Sequence, residues 1–168
     1  MNLKFTLAYD GSLFQGSQKQ PNGMTVEDKL LKAFKKINIE TNIVLSGRTD
    51  KEVHATGQVF NCVVPDFWQD FFKLKDILNK NLPSSIKILR IQKVKDDFHS
   101  KKKKKKRVYR YLITTKPTTP FNNKFITHIK NVDEELLQKA IKEFIGVYDF
   151  KYFHKTGSDK ELTKREIF

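Results

Sequence analysis

Cysteine is almost absent from this sequence: Cys62 is alone in 168 residues. An internal disulfide is thereby excluded, and a reducing, cytoplasmic setting is expected. No stretch approaches the roughly 18 to 20 consecutive apolar residues that a spanning helix needs, so no membrane partner is expected. The opening Met1-Asn2-Leu3-Lys4-Phe5 lacks the apolar core of a signal peptide. Cys62, His54, His99 and His128 lack the close paired spacing of a zinc site, and no metal is expected. Acidic residues are also scarce, with 19 Asp and Glu against 33 Lys and Arg, a net charge of +14. Such an excess favours a polyanionic partner, because each neutralised phosphate releases condensed counterions. With a membrane surface the weaker candidate, nucleic acid is the expected partner.

Against these absences stand 38% apolar residues and 14 phenylalanines, enough to build a packed core in one large domain or two small ones. The one conspicuous biased segment is Lys101 to Lys106, six lysines in a row. Two readings of it stand side by side: a solvated loop, as blocks of like charge usually are, or a string of cations laid along an RNA backbone. Its place between an apolar strand and an aromatic one favours more than a dangling tail.

The apolar period changes in an orderly way along the chain. Leu3, Phe5 and Leu7 alternate with Lys4 and Thr6, a half-buried strand that stops at Asp10-Gly11. Thr25, with Asp28 three residues on, caps a helix whose Val26, Leu30, Ala33, Phe34 and Ile37 fall on one face. Strands at about 42–45 and 57–64, a helix at about 67–79 and a strand at about 86–94 complete a β-α-β-β-α-β order. That is the ferredoxin-like order of an α+β fold: two helices cover one face of an antiparallel sheet and leave the other for RNA or a second sheet. Trp68, Phe67, Phe71 and Phe72 read as helix core. Residues 1–100 thus form an expected N-terminal RNA-binding and catalytic subdomain. After the lysines a second, similar unit starts over 101–168, with a strand at 107–115, a loop at Pro117 and Pro120, a helix at about 133–144 and a strand at 163–168. It is expected to form the other side of a cleft and to be incomplete.

The segment richest in chemistry is Ser46-Gly47-Arg48-Thr49-Asp50-Lys51-Glu52-Val53-His54. Gly47 allows a tight backbone, and Arg48 and Asp50 are spaced to project into one cleft. A carboxylate beside a guanidinium is favoured in its charged form, which suits a nucleophile or electrostatic stabiliser better than a general acid. A plain surface turn is the other reading of the same residues.

Four stretches, in order and covering nearly the whole chain, carry a resemblance. The first is Tyr9-Asp10-Gly11-Ser12 with Phe14, Gly16, Gln18, Gln20-Pro21, Thr25-Val26 and Leu30. The second is Gly47-Arg48-Thr49-Asp50 with Val53-His54-Ala55 and Gly57-Gln58-Val59. The third is Asn81-Leu82-Pro83, Ile86, Phe98-His99 and Tyr109-Arg110-Tyr111. The fourth is Phe144, Gly146, Asp149-Phe150, Phe153, Gly157-Ser158, Thr163, Arg165 and Ile167. Together they resemble the tRNA pseudouridine synthase A family. Ser17 departs from the pattern, which usually has Trp there, and the departure is expected to remove packing area rather than chemistry. The lysine run also departs from the mixed small, aromatic and basic stretch usual at that place.

The resemblance implies a pseudouridine synthase fold and an isomerase that turns uridine into pseudouridine in the anticodon stem-loop of tRNA, at positions 38, 39 and 40. It implies no metal, nucleotide or redox cofactor, and a homodimer. Asp50 becomes the expected catalytic carboxylate, acting on the base or at the ribose C1′. Arg48, Tyr109, Lys101 and Arg107 become the expected substrate-binding residues. Arg48 would pair with Asp50 and hold the flipped nucleotide, and Tyr109 would stack on the target base. Family members run on for further strands and helices that supply an arginine in an Arg-Asn-Ile-like segment. The 168 residues taken alone are therefore expected to bind RNA weakly, to isomerise it little and to self-associate. An RNA-binding module without chemistry and a ribosome-associated basic protein are the rival classes. Neither gives a reason for Gly47 to Asp50.

Overall fold

A computed structural model describes residues 1–21, 23–103, 106–153 and 163–168. The chain falls into two compact units, Met1–Val108 and Tyr109–Phe168. Lys104, Lys105, Gly157 and Ser158 lie outside the described residues.

The first unit has the βαββαβ order: β1 Asn2–Tyr9, α1 Val26–Lys36, β2 Val44–Leu45, β3 Ala55–Val63, α2 Phe71–Asn81 and β4 Ile86–Lys93. The sheet order is β2-β3-β1-β4 with every neighbouring pair antiparallel, the ferredoxin-like arrangement. β1 is central, and its alternating Leu3, Phe5, Leu7 and Tyr9 all turn into one core. Phe5 lies opposite Phe60 in the β1–β3 register, the rings stacked 4.6 Å apart and 2° from parallel, with Phe34 of α1 edge-on to both. Each such buried side chain contributes roughly 1.5–3 kcal/mol. α1 starts at a complete capping box: Thr25 Oγ1 accepts from Asp28 N–H at 3.2 Å, and Asp28 Oδ2 accepts from Thr25 N–H at 3.2 Å. The buried Cys62 thiol is pushed up to about 12 by desolvation.

α2 begins at Phe71, four residues later than the periodicity suggests. Asp66, just before the expected start, is held by the Met1 ammonium group at 2.6 Å, which lowers its carboxyl pKa through that hydrogen bond and charge. Asp70 caps the helix, its Oδ1 accepting from Lys73 N–H at 2.9 Å. The aromatic cluster is accordingly divided: Trp68 and Phe71 pack on the core, whereas Phe67 and Phe72 are exposed, contrary to their reading as helix core.

The sheet face away from the helices is partly covered by the chain itself. Asn2 donates to the carbonyls of Lys95, Asp96 and Phe98, and Asn61 donates to Asn2 Oδ1 at 3.0 Å. Asn61 Oδ1 accepts both the N–H and the hydroxyl of Ser100, at 2.9 and 2.8 Å. All three side-chain-bearing residues of this network are buried, so residues 95–100 are pinned across the strands just before the lysine run.

In the second unit, none of the described residues is buried. It contains β5 Ile113–Thr114 parallel to β6 Thr127–His128, then α3 Glu134–Lys142, and β7 Gly146–Asp149 antiparallel to β8 Lys164–Ile167. Of the expected strand over 107–115 only Ile113–Thr114 is extended in a ladder, because residues 107–112 have no partner strand among the described residues. Phe144, Phe150 and Phe153 form a ring cluster beside β7.

Asn61→Ala should leave Ser100 N–H and the Asn2 side chain without their buried partners and cost about 1–3 kcal/mol in urea unfolding. Amides of residues 98–100 should exchange faster than those of β1. A variant as stable as wild type would show that water replaces the network at no cost.

Candidate active site

Two loops meet beyond the C-terminal end of β1: residues 10–17, which follow that strand, and residues 46–54, which join β2 to β3. Tyr9 pairs with Ala55, so both loops leave the sheet at the same place. The β1–β3 register shifts between Leu7 and Tyr9, where β3 holds one residue more than β1. Such bulges re-aim side chains next to sites. Here Gln58 turns to the loop, donating to Gly47 O at 2.9 Å while its Oε1 accepts the Ser46 hydroxyl at 2.9 Å.

The two loops are laced residue by residue. Gly11 N–H donates to His54 Nδ1 at 3.0 Å, and the same nitrogen lies 3.1 Å from Asp10 Oδ1. Asp10 also accepts from the N–H and hydroxyl of Ser12, a loop-shaping task. Glu52 N–H faces Phe14 O at 3.4 Å, and Ser17 N–H donates to Thr49 O at 3.0 Å. Ser17 Oγ accepts Thr49 N–H at 2.8 Å, and Tyr9 and Thr49 hydroxyls bond at 2.8 Å. Burial raises the Tyr9 pKa, partly offset by bonds to Thr49, Gln58 and Ser17, so the phenol keeps its proton. Ser17 is fully buried. Its departure from the family pattern thus brings chemistry, a polar hold on Thr49, and not merely a loss of packing area.

Backbone geometry is demanding here. Gly16 has φ +100°, and a Cβ on it would sit 3.0 Å from Thr49 O. A Cβ on Gly11 would meet Val53 O at 2.1 Å. Glu52 takes φ +66° in the turn closed by Val53 N–H and Asp50 O, a conformation that costs a non-glycine residue of order 1–3 kcal/mol and collects at functional sites.

What the lacing presents is a pair of exposed side chains. Arg48 and Asp50 both point to solvent from a loop whose intervening Thr49 is held on all its polar atoms. Among the described residues no ion pair joins Arg48 to Asp50, so the expected pairing is absent here. Arg107 belongs to the same unit, and its guanidinium Nη2 lies 3.1 Å from where a Cβ on Gly47 would be, placing a second cation against the loop. Lys101 is exposed and follows directly on the anchored Ser100. Lys102 and Lys103 donate their N–H groups to His99 O, and Lys103 Nζ pairs with Asp97 at 2.8 Å, which lowers the Asp97 pKa. Tyr109 opens the second unit and is 71% exposed. Sequence reading missed Ser17, Gln58 and Tyr9 as loop supports; for Tyr9 and Gln58 the signal available was their place in the matched stretches, whereas Ser17 stands where the chain departs from the pattern. No group of three or more His, Cys, Asp or Glu among the described residues is arranged to hold a metal ion. No helix among them is long and apolar enough to cross a membrane.

Gly11→Ala should force the Val53 carbonyl away and destabilise the protein by about 2 kcal/mol in urea unfolding, as overpacking does. Unchanged stability would mean that the two loops part easily.

Comparison with known proteins agrees with this layout. The sequence profile of the tRNA pseudouridine synthase family matches residues 6–103, which contain both loops. A tRNA pseudouridine synthase A of Wolinella succinogenes is 36% identical over 161 residues, 96% of this chain and 64% of the relative. One of Streptococcus agalactiae is 36% identical over 169 residues, 98% of this chain and 65% of the relative. One of Helicobacter pylori is 38% identical over 165 residues, 98% and 67% of the two chains. The chain therefore spans about two thirds of the length of these curated relatives. With a profile match over more than half its residues and relatives this similar along nearly all of it, the chain belongs to the tRNA pseudouridine synthase family.

Proposed function

We propose that this chain carries the catalytic loop of an enzyme that isomerises uridine to pseudouridine in the anticodon stem-loop of tRNA, at positions 38, 39 and 40, with Asp50 as the catalytic carboxylate. The observation that carries the reading is the Ser46–His54 loop: its backbone is tied down at Gly47, Thr49 and Val53 while Asp50 and Arg48 stay exposed. Preorganising a reactive group while leaving it accessible is what catalysis asks of a loop.

The reaction needs no group from outside. The C1′–N1 bond of uridine breaks and a C1′–C5 bond forms, the proton on C5 leaves, and N1 gains one. One carboxylate, at the base or at C1′, serves either route. Arg48, Arg107 and Lys101 are the proposed phosphate and nucleotide contacts, and Tyr109 the proposed stacking partner of the target base. Flipping a nucleotide costs a few kcal/mol, which such contacts offset. A cytoplasmic setting and a homodimer belong to the same proposal.

Asp50→Asn should abolish release of tritium from carbon 5 of labelled uridine in tRNA while affinity falls no more than about tenfold, or roughly 1.4 kcal/mol. Turnover near the wild-type rate would remove Asp50 from its role. Binding without any release by a form extended to the length of the relatives would favour the RNA-binding module instead.

Replacing Lys101, Lys102 and Lys103 by Gln should flatten the slope of log affinity against log salt by up to about 2.7, at roughly 0.9 per lost phosphate contact. An unchanged slope would make the run a solvated loop.

A further inference from the structure

We propose that Ser17 is a positioning residue for Asp50, transmitting the rigidity of α1 to the loop that presents the carboxylate. The inference rests on the reading of Asp50 as catalytic. Ser17 ties the start of α1 to Thr49 through both its backbone and its hydroxyl. Its carbonyl accepts Glu27 N–H at 3.0 Å, in the first turn of α1, while the preceding Gly16 carbonyl accepts Val26 N–H at 3.2 Å. Its own N–H donates to Thr49 O at 3.0 Å, and its Oγ accepts Thr49 N–H at 2.8 Å.

Thr49 C=O belongs to the planar peptide unit that continues into Asp50 N–H, so fixing that oxygen fixes the direction in which the Asp50 backbone sets out. Thr49 N–H belongs to the preceding unit, and fixing both leaves Thr49 no freedom to rotate. Tyr9 holds the Thr49 hydroxyl as well, at 2.8 Å. Ser17 has none of its surface exposed, so water does not substitute for its hydroxyl. Neither Ser17 nor Thr49 is offered as touching substrate; the effect passes through the backbone.

Ser17→Ala removes the acceptor for Thr49 N–H and keeps the Ser17 backbone bonds. In the full chain, kcat for tritium release should fall about tenfold or more while KM moves less than about twofold, the signature of a misaimed group rather than lost binding. Amide exchange at Thr49 should quicken at least about tenfold, with Phe5 and Phe60 unchanged. If those core amides loosen too, Ser17→Cys carries the comparison, since its thiol keeps the volume but accepts weakly. Faster Thr49 exchange with kcat unchanged would overturn the proposal, as would unchanged Thr49 exchange. A wild-type form extended to the length of the relatives that gives no release would count against the isomerase reading, and the exchange comparison alone would then decide whether Ser17 holds the loop.

Discussion

The pairing of β1 with β3 is the constraint on which the rest of the first unit depends. Phe5 stacked on Phe60 sets that register from within the core. A slip of one residue would turn Leu3, Phe5 and Leu7 out of the core and displace the strand by about 3.4 Å. Because loop 10–17 leaves β1 at Tyr9 and loop 46–54 enters β3 at Ala55, the same register decides whether the loops meet. Aromatic packing in the core and the aim of Asp50 at the surface are two ends of one ladder.

The loops then do with hydrogen bonds what the core does with area. Most of their contacts are to backbone atoms: Gly47 O, Thr49 N–H and O, and the peptide around Val53. That choice leaves the charged side chains uncommitted. Arg48 and Asp50 are not spent on each other, and both face outward from a scaffold that is already satisfied. The positive φ of Glu52 and the close approach at Gly11 are the local costs of that arrangement.

The far face of the sheet adds a second theme. Asn2, Asn61 and Ser100 form a buried polar cluster whose only evident task is to lay residues 95–100 across the strands. The lysines that follow start from a fixed point. Asp97 takes one of them, Lys103, and Lys101 begins in the open.

Much of this was legible from residues 1–100 alone. Alternation at Leu3, Phe5 and Leu7, the Thr25 and Asp28 pair and the helical spacing of Leu30, Ala33 and Phe34 are local signals, and local signals set the βαββαβ order and the identity of the loop that carries Asp50. What required the tertiary structure is non-local. The capping of α2 by Asp70 rather than at an earlier residue, with Asp66 held by Met1, and the lack of a pairing partner for 107–112 among the described residues both turn on contacts made at a distance. The division of the Phe67 to Phe72 cluster into buried and exposed members followed from where α2 lands on β4. Ser17, visible in the sequence only as a departure from the family pattern between Gly16 and Gln18, acquired its role when folding brought Thr49 N within 2.8 Å of its hydroxyl, a contact across 32 positions that no periodicity encodes.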